Sequence, residues 1–516
     1  MTVRGYRLGL DWSRAGTFAN PYEDASVSAD ADITIAVGRD TSRAAADLPT
    51  GTLDFKIDDS ARVYAPDRTA SPLYGKVVPG VPGRLDLTVS GSTTNLFDGS
   101  LDKFTYNPGD WSLSGKLIDA WGLVANQTIS TQVYQGYRTG DLINAILDEV
   151  GWPAGKRSID PGATAVQYWW AEGKTAADAI QELADSEGPP AIAYVSQGVC
   201  VFEDRHHRMF NSRSTASQAT YTHIYPEGTG PGGDFKMLRD SISYDHGRSN
   251  IVNSATFQID VRAPGAVAAV WSTDSPFVVP AGTTTTIFAQ SNDPFISAFT
   301  PDETDYTLLG GSITVTLDRD SGQSLTISVT AGGTDATVAT LQVRAYPLTV
   351  ARTVKVTAED AGSVLSKGRK TWDQPLPWAG PYDAQAIANR IVSTYATARP
   401  VITFTIDGAI NTTYLQEFAA RTISDRITVR EDIIGVSGDF IVERVQREIT
   451  SLGISSRLTI TCEPPQPTQA ANALTFDVAG KGFNDGAFVA DGIDNAATAF
   501  VFDVAGRGFN DGVFAS

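Results

Sequence analysis

Apolar and polar residues alternate at Ile33, Ile35 and Val37, at Leu53, Phe55 and Ile57, and at Leu85, Leu87 and Val89. A period of two puts the apolar side chains on one face of a half-buried strand. Turn-forming groups divide these runs, among them Asp58-Asp59-Ser60, Pro66-Asp67, Ser71-Pro72 and Pro79-Gly80. The pattern predicts a small antiparallel barrel or sandwich over residues 1–120.

The period then lengthens. Thr139 is placed to cap a helix whose Leu142, Ile143, Ile146, Leu147 and Val150 share one face, with Gly151 and Pro153 as the stop. Thr175 caps a second helix with the stripe Ala176, Ile180, Leu183 and Ala184, closed by Gly188-Pro189-Pro190. With a strand from Val199 to Glu203 these make a small α+β domain over residues 121–225. The stretch from Pro226 to Asp234 has the composition of a linker.

Alternation returns at Ile313, Val315 and Leu317 and at Leu325, Ile327 and Val329, predicting a β-sandwich-like insertion over residues 261–350. A third helix is capped by Asp383, carries Ala384, Ile387, Ala388, Ile391, Val392 and Tyr395, and stops before Pro400. Strands at Ile427–Val429, Phe440–Val445 and Leu458–Thr461 complete a second barrel, discontinuous over residues 235–260 and 351–465. In the remaining extension, residues 466–516, the motif from Phe476 to Phe488 recurs from Phe502 to Phe514, 26 residues on. Two copies are too few to stack as a solenoid. The expectation is a pair of short appendages docking on a neighbour through Phe476, Phe483, Phe488, Phe502, Phe509 and Phe514, against a weakly ordered tail.

Composition narrows the class. A chain of 516 residues exceeds a single core, and 42% hydrophobic against 19% charged residues marks it as core-forming. A net charge of -19 argues against stable binding of nucleic acid, which needs clustered cations to release counterions. The same sign suits a conduit that DNA slides past without sticking. Cys200 and Cys462 alone cannot form a disulfide framework or a four-thiolate site. No apolar run approaches a membrane span.

The search for chemistry predicts no catalytic, cofactor or metal residues and no enzyme. Gly435 to Asp439 lacks the final glycine of a nucleophile elbow. Glu203-Asp204-Arg205-His206-His207 offers metal-type donors, but adjacent histidines on a strand point to opposite faces, so a surface strand end is expected. Asp318 to Gly322 begins like a calcium loop, yet Val329 stands where the closing glutamate would fall, leaving a hairpin turn. Tyr168-Trp169-Trp170 reads as core or interface, with a sugar platform as the alternative.

Several phrases together resemble a known family. They are Asp11-Trp12-Ser13 to Phe18, Ile33 to Asp40, Gly51 to Phe55, Tyr64-Ala65-Pro66, Ser71 to Gly75, Leu96-Phe97-Asp98-Gly99 and Trp111. In order and spacing they resemble the N-terminal domain of actinobacteriophage minor tail proteins, the tail-tip baseplate hubs. Trp170 to Ala176, Leu183 to Gly188, Val201 to Arg205, the helix at Asp383, Ser424 to Val429 and Phe440 to Glu443 extend the resemblance over most of residues 1–465. It implies a mainly β fold with two tail-tube-like antiparallel β-barrels plus inserted domains. It also implies a homotrimer at the virion tail tip, made in the host bacterial cytoplasm, that closes the distal tube and forms part of the DNA-ejection path. The implied partners are a distal tail protein ring, the tape-measure protein and other minor tail or fibre proteins. A receptor-binding or wall-degrading tail protein acting on envelope polysaccharide is the alternative.

Overall fold

The structure, a computed structural model, describes residues 4–19, 23–25, 33–38, 51–124, 126–223, 233–247, 250–450 and 455–466. The two C-terminal repeats with their six phenylalanines, and most of the expected linker, lie outside the described residues.

Strands dominate. Thr52–Asp58 buries Leu53, Phe55 and Ile57 and exposes the residues between them, as its alternation requires. Arg4–Leu10, Pro82–Val89, Ser92–Asn107, Ser112–Asp119, Thr52–Asp58 and Ile33–Gly38 lie side by side in that order, every neighbouring pair antiparallel.

Two separate barrels were expected, and the described strands are arranged differently. The order runs on from Ile33–Gly38 into Val436–Thr450, so strands from both ends of the chain join one 13-stranded sheet. Among the described residues no barrel closes. The long Val436–Thr450 strand makes the join. On one edge its first part pairs with Arg426–Glu431, from Arg426↔Ile441 to Glu431↔Val436. On that edge its second part pairs with Ile33–Gly38, from Ile33↔Ile449 to Gly38↔Arg444. Ser455–Glu463 takes the opposite edge, followed by Val401–Asp407 and Ser243–Asp245. At the join Gly38 has φ +133°, and a Cβ there would meet Arg444 Cα at 2.4 Å, so only glycine allows the approach.

The sheet is not wholly antiparallel either. Ser217–His223 pairs in parallel with Arg426–Glu431 and with Phe235–Lys236. Parallel neighbours need a long crossover, and the chain between residues 223 and 426 supplies one. A single core unites the sheet, running from Tyr6, Leu8 and Leu10 through Leu85 and Leu113 to Phe404, Phe418 and Ile460. Tyr6 stacks edge-on to Phe418 and bonds its hydroxyl to Ser456 Oγ at 2.7 Å across 450 residues of sequence.

Polar residues of the N-terminal block fasten loops onto this core. Asp11, 1% exposed, accepts the backbone N–H groups of Ala15 and Gly16 at 3.0 and 2.6 Å. Asp59 does the same for Val63 and Tyr64 at 2.6 and 2.9 Å. A buried carboxylate is stable only with such donors around it.

A smaller unit packs helices Thr139–Glu149 and Ala176–Asp185 on strands Ile192–Ser196, Val199–Glu203 and Arg157–Ile159. Its core holds Leu142, Ile146, Ile180, Leu183 and Phe202. Thr175 caps its helix as expected, accepting Asp178 N–H at 3.1 Å. Thr139 instead enters the helix, after Arg138 at the cap, and donates its hydroxyl to Glu187 at 2.6 Å. Asp383 is likewise not a cap: Gly380 takes that place and Pro381, whose missing N–H is harmless there, opens helix Pro381–Tyr395.

The insertion hangs on one ladder. Ser254–Pro264 pairs with Ala336–Glu359 from Ser254↔Glu359 to Pro264↔Leu348, with one irregularity after Val261. This ladder crosses the expected boundaries at residues 260 and 350. Its root, Ala255, Phe257 and Val356, packs on Ile387 and Ile391 of helix Pro381–Tyr395. Farther out, the Ala336–Glu359 strand and the sheet of Thr284–Gln290, Ser324–Ala331 and Ile313–Arg319 enclose Leu325, Ile327, Val338 and Leu341.

Candidate functional site: the buried junction

The polar residues singled out in the sequence meet where the small α+β unit touches the large sheet and helix Pro381–Tyr395. Glu203-Asp204-Arg205 was expected at a surface strand end; all three are buried. The sequence could not show this, because their partners lie at distant positions. Arg205 donates to Thr164 Oγ1 at 2.7 Å, to Glu187 at 3.2 Å and to Asp383 at 3.1 Å. Glu187, 0% exposed, also accepts the N–H groups of Ala163 and Thr164 at 2.9 and 2.7 Å. Asp383 thus ties the start of its helix to the α+β unit instead of capping it.

A second knot lies beside the first. Glu203 accepts the hydroxyls of Tyr194, at 2.9 Å, and Ser424. Arg208 donates to Ser424 Oγ at 3.0 Å and forks onto Glu443, one arm at 3.0 Å. His207 Nδ1 stands 2.7 Å from Asp160 Oδ2. Burial pushes the His207 imidazole pKa down, but the bond to Asp160 and the charge of Glu203 outweigh it, leaving the net shift upward. A third knot, under the sheet, joins Arg213 to Asp425 at 2.6 Å and Arg421 to Glu417 and Asp425 at 2.6 and 3.1 Å.

Beside the third knot a cavity of about 240 Å³ is lined by Val37, Asp119, Val195, Arg213, Arg421 and Arg447, among others. Its cations are already engaged. Arg447 donates to the carbonyls of Phe418, at 2.8 Å, and of Arg421, and burial then Arg421 bring its pKa down to about 10. Burial raises Asp119 to about 7 despite the N–H groups of Gly51, Trp121 and Gly122 that it accepts. Cys200 and Cys462 are both buried and free, the Cys200 thiol pushed up to about 12 by burial. Such a thiol is inert.

The aromatic group Tyr168-Trp169-Trp170 belongs to an interface. Trp169 is 1% exposed. Trp170 meets Trp378 edge-on at 5.2 Å, lies under the Arg262 guanidinium at 5.1 Å and donates Nε1–H to Gln323 at 3.0 Å. The hairpin turn at Ser321-Gly322, foreseen where a calcium loop fails, docks here: Gly322 N–H donates to Thr131 O at 2.7 Å, and Ser321 and Ser324 donate to Glu172. The Arg262 guanidinium thus covers the Trp170 ring that a sugar would need.

One cluster went unforeseen. His223, Glu431 and Asp432 place one ligand-type atom each within 4.8 Å of one another. No sequence signal marks it, because the parallel pairing of Ser217–His223 with Arg426–Glu431 brings the first residue to the other two.

No protein-family model matches this chain, and no curated protein does. Solved structures do match. A tail protein from Neisseria meningitidis MC58 is 10% identical, with TM-score 0.48, covering 89% of this chain and 96% of that one. The 43 kDa tail protein of prophage MuSo2 from Shewanella oneidensis is 12% identical, with TM-score 0.47, covering 90% and 98%. The prophage tail protein gp18 from Listeria monocytogenes EGD-e is 9% identical, with TM-score 0.42, covering 90% and 96%. No helix among the described residues is long and apolar enough to cross a membrane.

Proposed function

We propose that this chain is a structural tail-tip hub, a minor tail protein that forms homotrimers, closes the distal tail tube and makes part of the path for DNA. The observation that carries the reading is the single 13-stranded sheet whose ends, far apart in sequence, share one core. A close-packed core shared in this way has low compressibility and transmits strain, as a hub between tail neighbours needs. The phrases from Asp11 to Trp111 add the family resemblance, and buried polar residues of that block hold the loops of the sheet in shape. The net charge of -19 suits a wall that repels DNA. The distal tail ring and the tape-measure protein are the partners in this reading, and the phenylalanines of the C-terminal repeats are docking residues for a tail neighbour.

Light scattering on the purified protein and negative-stain images of virions carrying a labelled copy test the proposal. Trimers, with label at the tail tip, are expected. Monomers together with label elsewhere on the virion would refute it.

A further inference from the structure

The ends of two parallel strands form a site of a different kind. His223 closes Ser217–His223, Glu431 closes Arg426–Glu431, and the two are register partners. Both side chains are buried, and His223 Nδ1 lies 3.1 Å from Glu431 Oε1. The Glu431 carboxylate is held in place by the N–H groups of Ile433 and Ile434, which donate to it at 3.0 and 2.5 Å. Asp432, exposed, is anchored through its own N–H to His223 O at 3.2 Å. Thus backbone bonds fix both neighbours of the imidazole.

We infer that His223, Glu431 and Asp432 bind a first-row divalent cation of the zinc or manganese type. Two donors each about 2.0–2.2 Å from such an ion lie roughly 3 Å apart when they are cis, as the imidazole and carboxylate already do. A carboxylate offers about four lone-pair positions, so Glu431 keeps capacity beyond the bonds it accepts. Asp432 supplies the second carboxylate by a side-chain rotation that shortens its separation. One imidazole with two carboxylates favours these ions over calcium, which takes oxygen ligands. On binding, the ion takes the place of the direct contact between His223 Nδ1 and Glu431 Oε1. Metal binding would stiffen the hairpin tip that exposes Ile433 and Ile434, 68% and 50% accessible.

Calorimetry with zinc chloride, manganese chloride and calcium chloride on the full, EDTA-treated chain tests this, with circular dichroism to check folding. The wild type is expected to bind zinc or manganese stoichiometrically. His223→Ala and Asp432→Asn weaken binding by about tenfold or more, while His246→Ala leaves it unchanged. Because Asp432 is exposed, Asp432→Asn reads the site even if His223→Ala fails to fold. Absence of saturable binding, binding unchanged in Asp432→Asn, or binding of calcium alone would each overturn the inference.

Discussion

Asp119 ends the strand Ser112–Asp119 with a carboxylate that accepts Gly51 N–H at 2.7 Å and Trp121 N–H at 3.0 Å. Its folded pKa, about 7, lies above the ordinary 3.8, so ionising it costs the folded state more than the unfolded one. Its contribution is fully present below the unfolded value and is lost as pH rises toward the folded one. The urea midpoint of the wild type should therefore fall, relative to Asp119→Asn, between about pH 4 and pH 7. Parallel profiles across that window would show that Asp119 does not titrate there. His207 is also shifted upward, and as a cation it holds stability at low pH that drains away as pH rises through its folded value. The gap between wild type and His207→Gln in urea midpoint should accordingly narrow from pH 6 to pH 9. Neither effect was legible in the sequence. Asp119 looks like any strand-end aspartate until Gly51 is brought beside it, and His207 was read as a surface residue because Asp160 and Glu203 cannot be placed against it by spacing.

At the scale of elements, periodicity succeeded where one face of a strand or helix meets one core. The alternation of Leu53, Phe55 and Ile57 and the stripe of Ile180, Leu183 and Ala184 are buried as read. It said less where a polar side chain had two possible partners. Thr139 and Asp383 are both good caps by composition, yet each turns to the junction, Thr139 donating to Glu187 and Asp383 accepting from Arg205, because a buried charge demands hydrogen-bond partners more strongly than a helix end demands a cap. Arg205 and Glu187 are that charge pair, 4% and 0% exposed at the side chain. Removing Glu187 takes from Arg205 its fully buried carboxylate and from the N–H groups of Ala163 and Thr164 their acceptor, leaving Asp383 as the counter-charge, so Glu187→Ala should lower unfolding stability by about 3 kcal/mol in urea titration. A loss below about 1 kcal/mol would mean that water replaces the carboxylate. The docked hairpin gives a different prediction. Trp170→Ala should raise protease cleavage around Ser321 in timed digests, since it removes the indole that Gln323, Arg262 and Trp378 hold, while leaving the insertion's own core intact.

For the whole molecule, the β-rich class was readable, because it follows from local alternation and turn chemistry. The single sheet was not. Which strand takes the edge of Ile33–Gly38 depends on a pairing to Arg444–Ile449 that no local pattern encodes. The same holds for the parallel neighbour of Arg426–Glu431, on which the cation site depends.

The place of Val436–Thr450 in the sheet also sets a timetable for synthesis. A ribosome delivers Ile33–Gly38 well before its partner strand, which lies about 400 residues later in the sequence. During that interval the first six strands present a bare edge, and contacts of such long sequence separation form slowly. Folding of the large sheet thus waits for residue 436 to emerge, and a nascent chain halted before it carries an open template for pairing with other nascent chains. The hazard grows with polysome density, so expression at low temperature and slow induction should favour soluble protein over inclusion bodies.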